Sequence, residues 1–115
     1  MVRYAAHRVY LQTEGRMLVR QMVELDAEGY VDSLVPFSME VHHTVWIDGI
    51  IIVAPLPPLS PMSHETFAHY TQRVAEHQLH ESVLVQSKRM RAYRTVGFDI
   101  PAMRFANRGA LSPLS

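Results

Sequence analysis

The segment Thr44-Val45-Trp46-Ile47-Asp48-Gly49-Ile50-Ile51-Ile52-Val53 sets two β-branched runs on either side of an Asp-Gly pair. Asp-Gly is a favoured two-residue hairpin loop, because both turn positions need positive φ and these residues tolerate it. The segment is therefore predicted to reverse at 48–49, with Ile47 opposite Ile50 and Trp46 opposite Ile51. Ile50 to Ala54 is apolar at every position, which marks a central strand covered on both faces.

Toward the N-terminus the pattern stays strand-like. Arg3–Gln12 is rich in Tyr and Val, and Glu14-Gly15 closes it with a turn. From Met17 to Asp26, Met17, Val19, Val23 and Leu25 alternate with Arg20, Glu24 and Asp26, the period of a half-buried strand. Asp26-Ala27-Glu28-Gly29 then turns the chain, and Tyr30–Val35 returns as a hairpin partner until Pro36 ends the pairing.

Toward the C-terminus, residues 54–62 carry Pro55, Pro57, Pro58 and Pro61 and form an extended connector. Its Pro-x-x-Pro spacings are those of a peptide ligand, but a passage from sheet to helix explains them more simply. Ser63–Glu81 is the one predicted helix: Ser63 caps it, Glu65 sits in its first turn, and Phe67, Tyr70, Thr71, Val74 and Gln78 form its inner stripe. His69, Arg73, Glu76 and His80 fall on the opposite, solvated face. Val83–Ser87 and Met90–Val96 are predicted strands, and Phe98–Met103 an extended edge. Residues 1–103 thus form a single β-rich domain, and 104–115 a loosely ordered C-terminal tail. The fold class is mainly β: β-sandwich-like, built of antiparallel hairpins in two layers, with one α-helix near residues 63–81.

Three stretches together resemble a known family: Ala6-His7-Arg8-Val9-Tyr10-Leu11, Val23 through Val31, and Gly49-Ile50-Ile51-Ile52-Val53. They look like the small β-sandwich, or composite, domain that flanks the barrel in the amidohydrolase (metal-dependent hydrolase) superfamily. Small stand-alone bacterial proteins share the pattern. The resemblance implies a fold and carries no activity. The superfamily's His-x-His metal motif is missing after Val53, where Ala54-Pro55-Leu56-Pro57 follows. A catalytic barrel needs at least ~200 residues, and too little chain is left for one.

Composition narrows the function classes. The 115 residues include no cysteine, which excludes disulfides, thiolate metal sites and cysteine nucleophiles. Arg3, His7 and Arg8 interrupt any signal-peptide core, and no apolar run approaches the ~20 residues of a membrane span. A soluble, cytoplasmic protein is expected. Net charge is zero, divided as −3 over residues 1–62 and +3 over 63–115, too weak a polarity for a polyanion target. Lys88-Arg89-Met90-Arg91-Ala92-Tyr93-Arg94 would set Arg89, Arg91 and Tyr93 on one strand face. A charged edge that resists aggregation accounts for them better, so a nucleic-acid partner is not expected.

Of seven histidines, only His77 and His80 have a helical metal-ligand spacing, with Glu76 or Glu81 as an oxygen donor. Two ligands from one face fall short of a tight site, so no metal, cofactor or catalytic residue is assigned, and solvated histidines are the simpler reading. His42 and His43 are adjacent and would point to opposite faces of a strand. The glycines are isolated, which excludes a phosphate loop, and no nucleophile elbow is present. The expected function is a non-catalytic binding or assembly module. It would act as a homodimer, through strand edges or the helix face near Phe67 and Tyr70, or with another protein. The alternative is a small enzyme, or an accessory subunit of a metal-dependent hydrolase, with its site between chains.

Overall fold

A computed structural model of the chain describes residues 2–37, 43–55, 57–79 and 89–114. It contains strands β1 (Val2–Leu11), β2 (Arg16–Leu25), β3 (Val31–Pro36), β4 (Thr44–Trp46), β5 (Ile50–Ala54), β6 (Arg91–Asp99) and β7 (Arg104–Pro113), with helix α1 (Phe67–Leu79). The fold is mainly β, as expected. All seven strands belong to one mixed sheet in the order β3-β2-β1-β5-β6-β7, with β4 also beside β1.

The sheet curls back on itself. Tyr30, just ahead of β3, bridges antiparallel to Arg91 at the start of β6, and Val31 N donates to Met90 O at 2.7 Å. The enclosed core holds Val9, Val23, Leu25, Ile47, Ile51, Val53, Ala92 and Leu114. A second core lies on the other face, where Phe67, Tyr70 and Val74 of α1 and Phe105 of β7 cover Ile50, Ile52, Ala54 and Tyr93. Alternate residues of β5 enter the two cores, which is why every position of that strand is apolar and buried. Each large side chain so buried contributes about 1.5–3 kcal/mol.

The Asp48-Gly49 hairpin does not form. β4 and β5 both run parallel to β1, in line with one another, with Arg3 opposite Thr44 and Arg8 opposite Ile50. Six residues of β1, 3–8, thus face seven of the other segment, 44–50, and the additional residue is accommodated at 47–49 as a bulge. Gly49 still has positive φ, +105°, but it kinks a strand where a reversal was expected. Trp46 consequently lies outside the core, 44% exposed.

A second interruption explains why the alternation along β2 fails at Val19, which is exposed. Ala6 and Val9 share the enclosed core although they are three apart, so β1 changes face around His7. On β2, Met17 packs against the helix-side core while Val23 and Leu25 enter the enclosed one. The change occurs around Arg20, at φ +52°.

Three further expectations are corrected. The helix begins at Phe67, with Thr66 Oγ1 accepting from His69 N at 3.2 Å, so Thr66 and not Ser63 is the cap. Residues 104–113 are a strand paired with β6, anchored by fully buried Phe105, and not a loose tail. The chain turns at 100–103, where an extended edge was predicted. The helix face bearing Phe67 and Tyr70 is spent on the chain's own core, which removes it as a dimer surface. The predicted strand Val83–Ser87 and the helix end at His80–Glu81 lie outside the described residues. No described helix is long and apolar enough to cross a membrane.

Candidate functional site

Two gatherings of charged side chains among the described residues have opposite outcomes. The first lies at the helix N-terminus. Glu65 is buried, its side chain only 2% exposed. Its carboxylate accepts from Arg73 Nε and Nη2, both at 2.9 Å, and from Met62 N at 3.0 Å. His69 Nδ1 lies 2.7 Å from its Oε2. The Arg73 fork holds the Glu65 carboxyl at about 2, with Met62 N and His69 adding to the effect against the opposing influence of burial. Arg73 also donates to Ser60 O at 2.9 Å, and Tyr70 OH donates to Leu59 O at 2.6 Å. Both bonds tie the proline-rich connector to α1. Burial pushes the Tyr70 hydroxyl well above its ordinary value. No buried side-chain nitrogen or oxygen of this cluster lacks a partner within the chain, which identifies an internal anchor.

The second place is a cleft of about 520 Å³, where β6 diverges from β5 beyond Arg94. It is lined by His7 and Arg8 of β1, by Asp48 and Gly49 of the bulge, and by residues 94–101. Three strand irregularities meet there: the change of face at His7, the bulge at Gly49, and a register shift at Gly97, where φ is +63°. Bulges re-aim side chains and end strand pairing, and here they open the sheet. The bulge is pinned by Thr95, which is buried and whose Oγ1 accepts from Ile50 N at 3.0 Å. A Cβ at position 49 would lie 2.4 Å from that hydroxyl, so only glycine fits.

Among the described residues the cleft's charges have no ion-pair partner. Arg94 Nε is enclosed and has no hydrogen-bond partner among the described residues. Arg8, which contacts Met103 Sδ, and Arg94 form no ion pair among the described residues, nor do Asp48 and Asp99. Asp99 Oδ1 accepts from Ala102 N, closing the turn after β6. Val96, Phe98, Ile100 and Pro101 supply an apolar wall. Phe98 is braced from behind by edge-on contacts with Phe67 and Phe105, centroids 5.8 and 4.9 Å away. At the rim, His7 meets Trp46 edge-on at 4.7 Å, and Phe37 meets Trp46 at 5.7 Å.

The histidines are dispersed. His7 lines the cleft, His69 contacts Glu65, and His43, His64 and His77 are exposed at separate places. His80, proposed as a ligand beside His77, lies outside the described residues, as does His42. Among the described residues no three His, Asp or Glu side chains group as a metal site would require. The basic run also separates: Arg91 stacks on Tyr30 at 4.2 Å with Arg89 at 5.2 Å, while Tyr93 enters the helix-side core. Arg89 pairs with Glu28 at 3.1 Å. The stacking platform of Arg89, Arg91 and Tyr93 therefore does not exist. Of the described residues of that run, only Arg94 lines the cleft. Its spacing to His7, Arg8 and Asp48 has no period, so no local sequence signal connects them.

No known protein family, curated protein or solved structure matches the chain, and none of these comparisons links it to the metal-dependent hydrolases.

Proposed function

We propose that the chain is a non-catalytic binding module whose ligand occupies the cleft between the Gly49 bulge and the end of β6, with Arg94 as the anchor. The enclosed, unpartnered Nε of Arg94 carries this reading. A buried donor on a charged group is costly to leave unsatisfied, and native proteins keep few of them. A ligand acceptor, such as a carboxylate oxygen, would pair the Arg94 guanidinium where it lines the cleft. The cleft's size falls within the ~300–1,000 Å³ of small-molecule sites, and its apolar wall beside a few polar groups has their usual make-up.

Thermal denaturation in rising concentrations of small carboxylates tests the reading. A saturable rise in Tm is expected for the native chain, absent from Arg94→Gln. Equal responses from both proteins would refute it.

A second reading, assembly as a homodimer, is favoured by β4. Among the described residues that strand pairs only with β1, and it exposes Val45 and Trp46 beside the cleft. Light scattering should then give twice the 13.2 kDa chain mass, falling to one chain mass in Trp46→Glu. A native monomer at micromolar concentration would exclude it.

A further inference from the structure

The cleft's balance of charge narrows the ligand class. Arg8 and Arg94 face it together with Asp48 and Asp99, and among the described residues none of the four is paired with another. A purely anionic ligand such as phosphate would meet the arginines but be opposed by two carboxylates. A simple amine would meet the reverse. A ligand carrying both signs close together matches both sets, and electrostatic complementarity of this kind sets specificity. The remaining wall, Val96, Phe98, Ile100 and Pro101, suits an apolar substituent. Because Phe98 is held from behind by Phe67 and Phe105, that wall is formed before the ligand arrives.

We infer that the cleft binds a zwitterionic α-amino acid with an apolar or aromatic side chain. Its carboxylate lies toward Arg94, its ammonium toward Asp48 and Asp99, and its side chain against Phe98. This rests on the cleft being the binding site, and it adds the requirement that both charges be present.

Isothermal titration of the full chain with L-phenylalanine, N-acetyl-L-phenylalanine, L-phenylalaninamide and inorganic phosphate separates the possibilities. L-Phenylalanine should bind saturably. The acetylated and amidated forms, each lacking one charge, should bind at least about tenfold more weakly, as the loss of one buried charged contact implies. In Arg94→Gln the penalty for amidation should vanish. In Asp48→Asn/Asp99→Asn the penalty for acetylation should vanish, with circular dichroism confirming that both variants are folded. If the acetylated form binds as tightly as L-phenylalanine, or phosphate binds best, the site takes anions only. That result overturns the zwitterion and leaves the Arg94-anchored site standing. If none of the four binds, the inference and the cleft reading fall together.

Discussion

Arg73 and Arg94 are both half-buried arginines, and the fold treats them in opposite ways. Arg73 donates twice to Glu65 and once to Ser60 O, and it lies 5.7 Å from the Tyr70 ring centroid. Arg94 has an enclosed Nε that meets no acceptor and a cleft in front of it. One guanidinium is used up by the protein's own carboxylate and carbonyl oxygens, and the other is left for something from outside. Burial is therefore not what separates a structural charge from a functional one here. The deciding quantity is whether the chain itself supplies the acceptors.

The largest expected difference follows from removing the anchor's charge. Glu65→Gln leaves Arg73 without its carboxylate in a mostly buried setting. It should cost about 3 kcal/mol, the lower end for breaking a buried pair because Arg73 keeps some contact with water. Urea denaturation measures this directly. The pH dependence points the same way. The Glu65 carboxyl ionises at about 2 in the fold, below its ordinary 4.5, so folding favours the charged form. Its contribution is complete above 4.5 and is lost as the pH falls toward 2. The stability difference between the native chain and Glu65→Gln should therefore shrink across that window. A difference that stays constant to pH 2 would mean that the ion pair is not what holds the connector.

Gly49 tests the cleft wall at intermediate size. Gly49→Ala places a Cβ against the Thr95 hydroxyl and forces a side-chain-bearing residue to φ +105°. A cost of about 1–3 kcal/mol is expected for such a backbone position. In a Thr95→Ala background the clash with the hydroxyl is gone, while the close approach to Thr95 O at 3.3 Å and the backbone part remain, so the same step should cost less. Strict additivity in this double-mutant cycle would show that Thr95 does not set the bulge.

The same position shows how far the fold was legible. Ile50–Ala54 was readable as a central strand because apolar residues on both faces have one explanation, and the two cores use both faces. The change of direction at Asp48-Gly49 was not readable. A hairpin turn and a strand bulge both need positive φ at glycine, and only the partner strand, β1, distinguishes them. Arg104–Pro113 looked like a tail because an edge strand that exposes most of its side chains has no hydrophobic period. Phe105 and Leu111 are the apolar signals of where it docks. The anchor was half visible: Glu65 was placed near the helix start. Its partner Arg73 lies eight residues on and falls by helical periodicity on the solvated face, because Glu65 precedes the helix and the pair follows no helical spacing. The cleft was not legible at all. It brings His7, Asp48 and Arg94 together across three strands through irregularities that no period announces.

The smallest expected effect sharpens the comparison most. Arg94→Met keeps most of the unbranched stem that packs along the cleft and removes the guanidinium whose Nε is enclosed without a partner. If Arg94 serves a ligand, the free protein loses no hydrogen bond through Nε, and one unsatisfied buried donor disappears. Stability should change by less than about 0.5 kcal/mol, or rise, as for substitutions that break no internal contact. Arg73→Met, matched in side chain and in partial burial, should by contrast cost nearly as much as Glu65→Gln, because it strands the Glu65 carboxylate. Denaturation of the two variants side by side decides the matter without any knowledge of the ligand. A loss at Arg94 as large as that at Arg73 would mean that both arginines are structural, and the cleft would then lose its claim to be a site held open for a ligand.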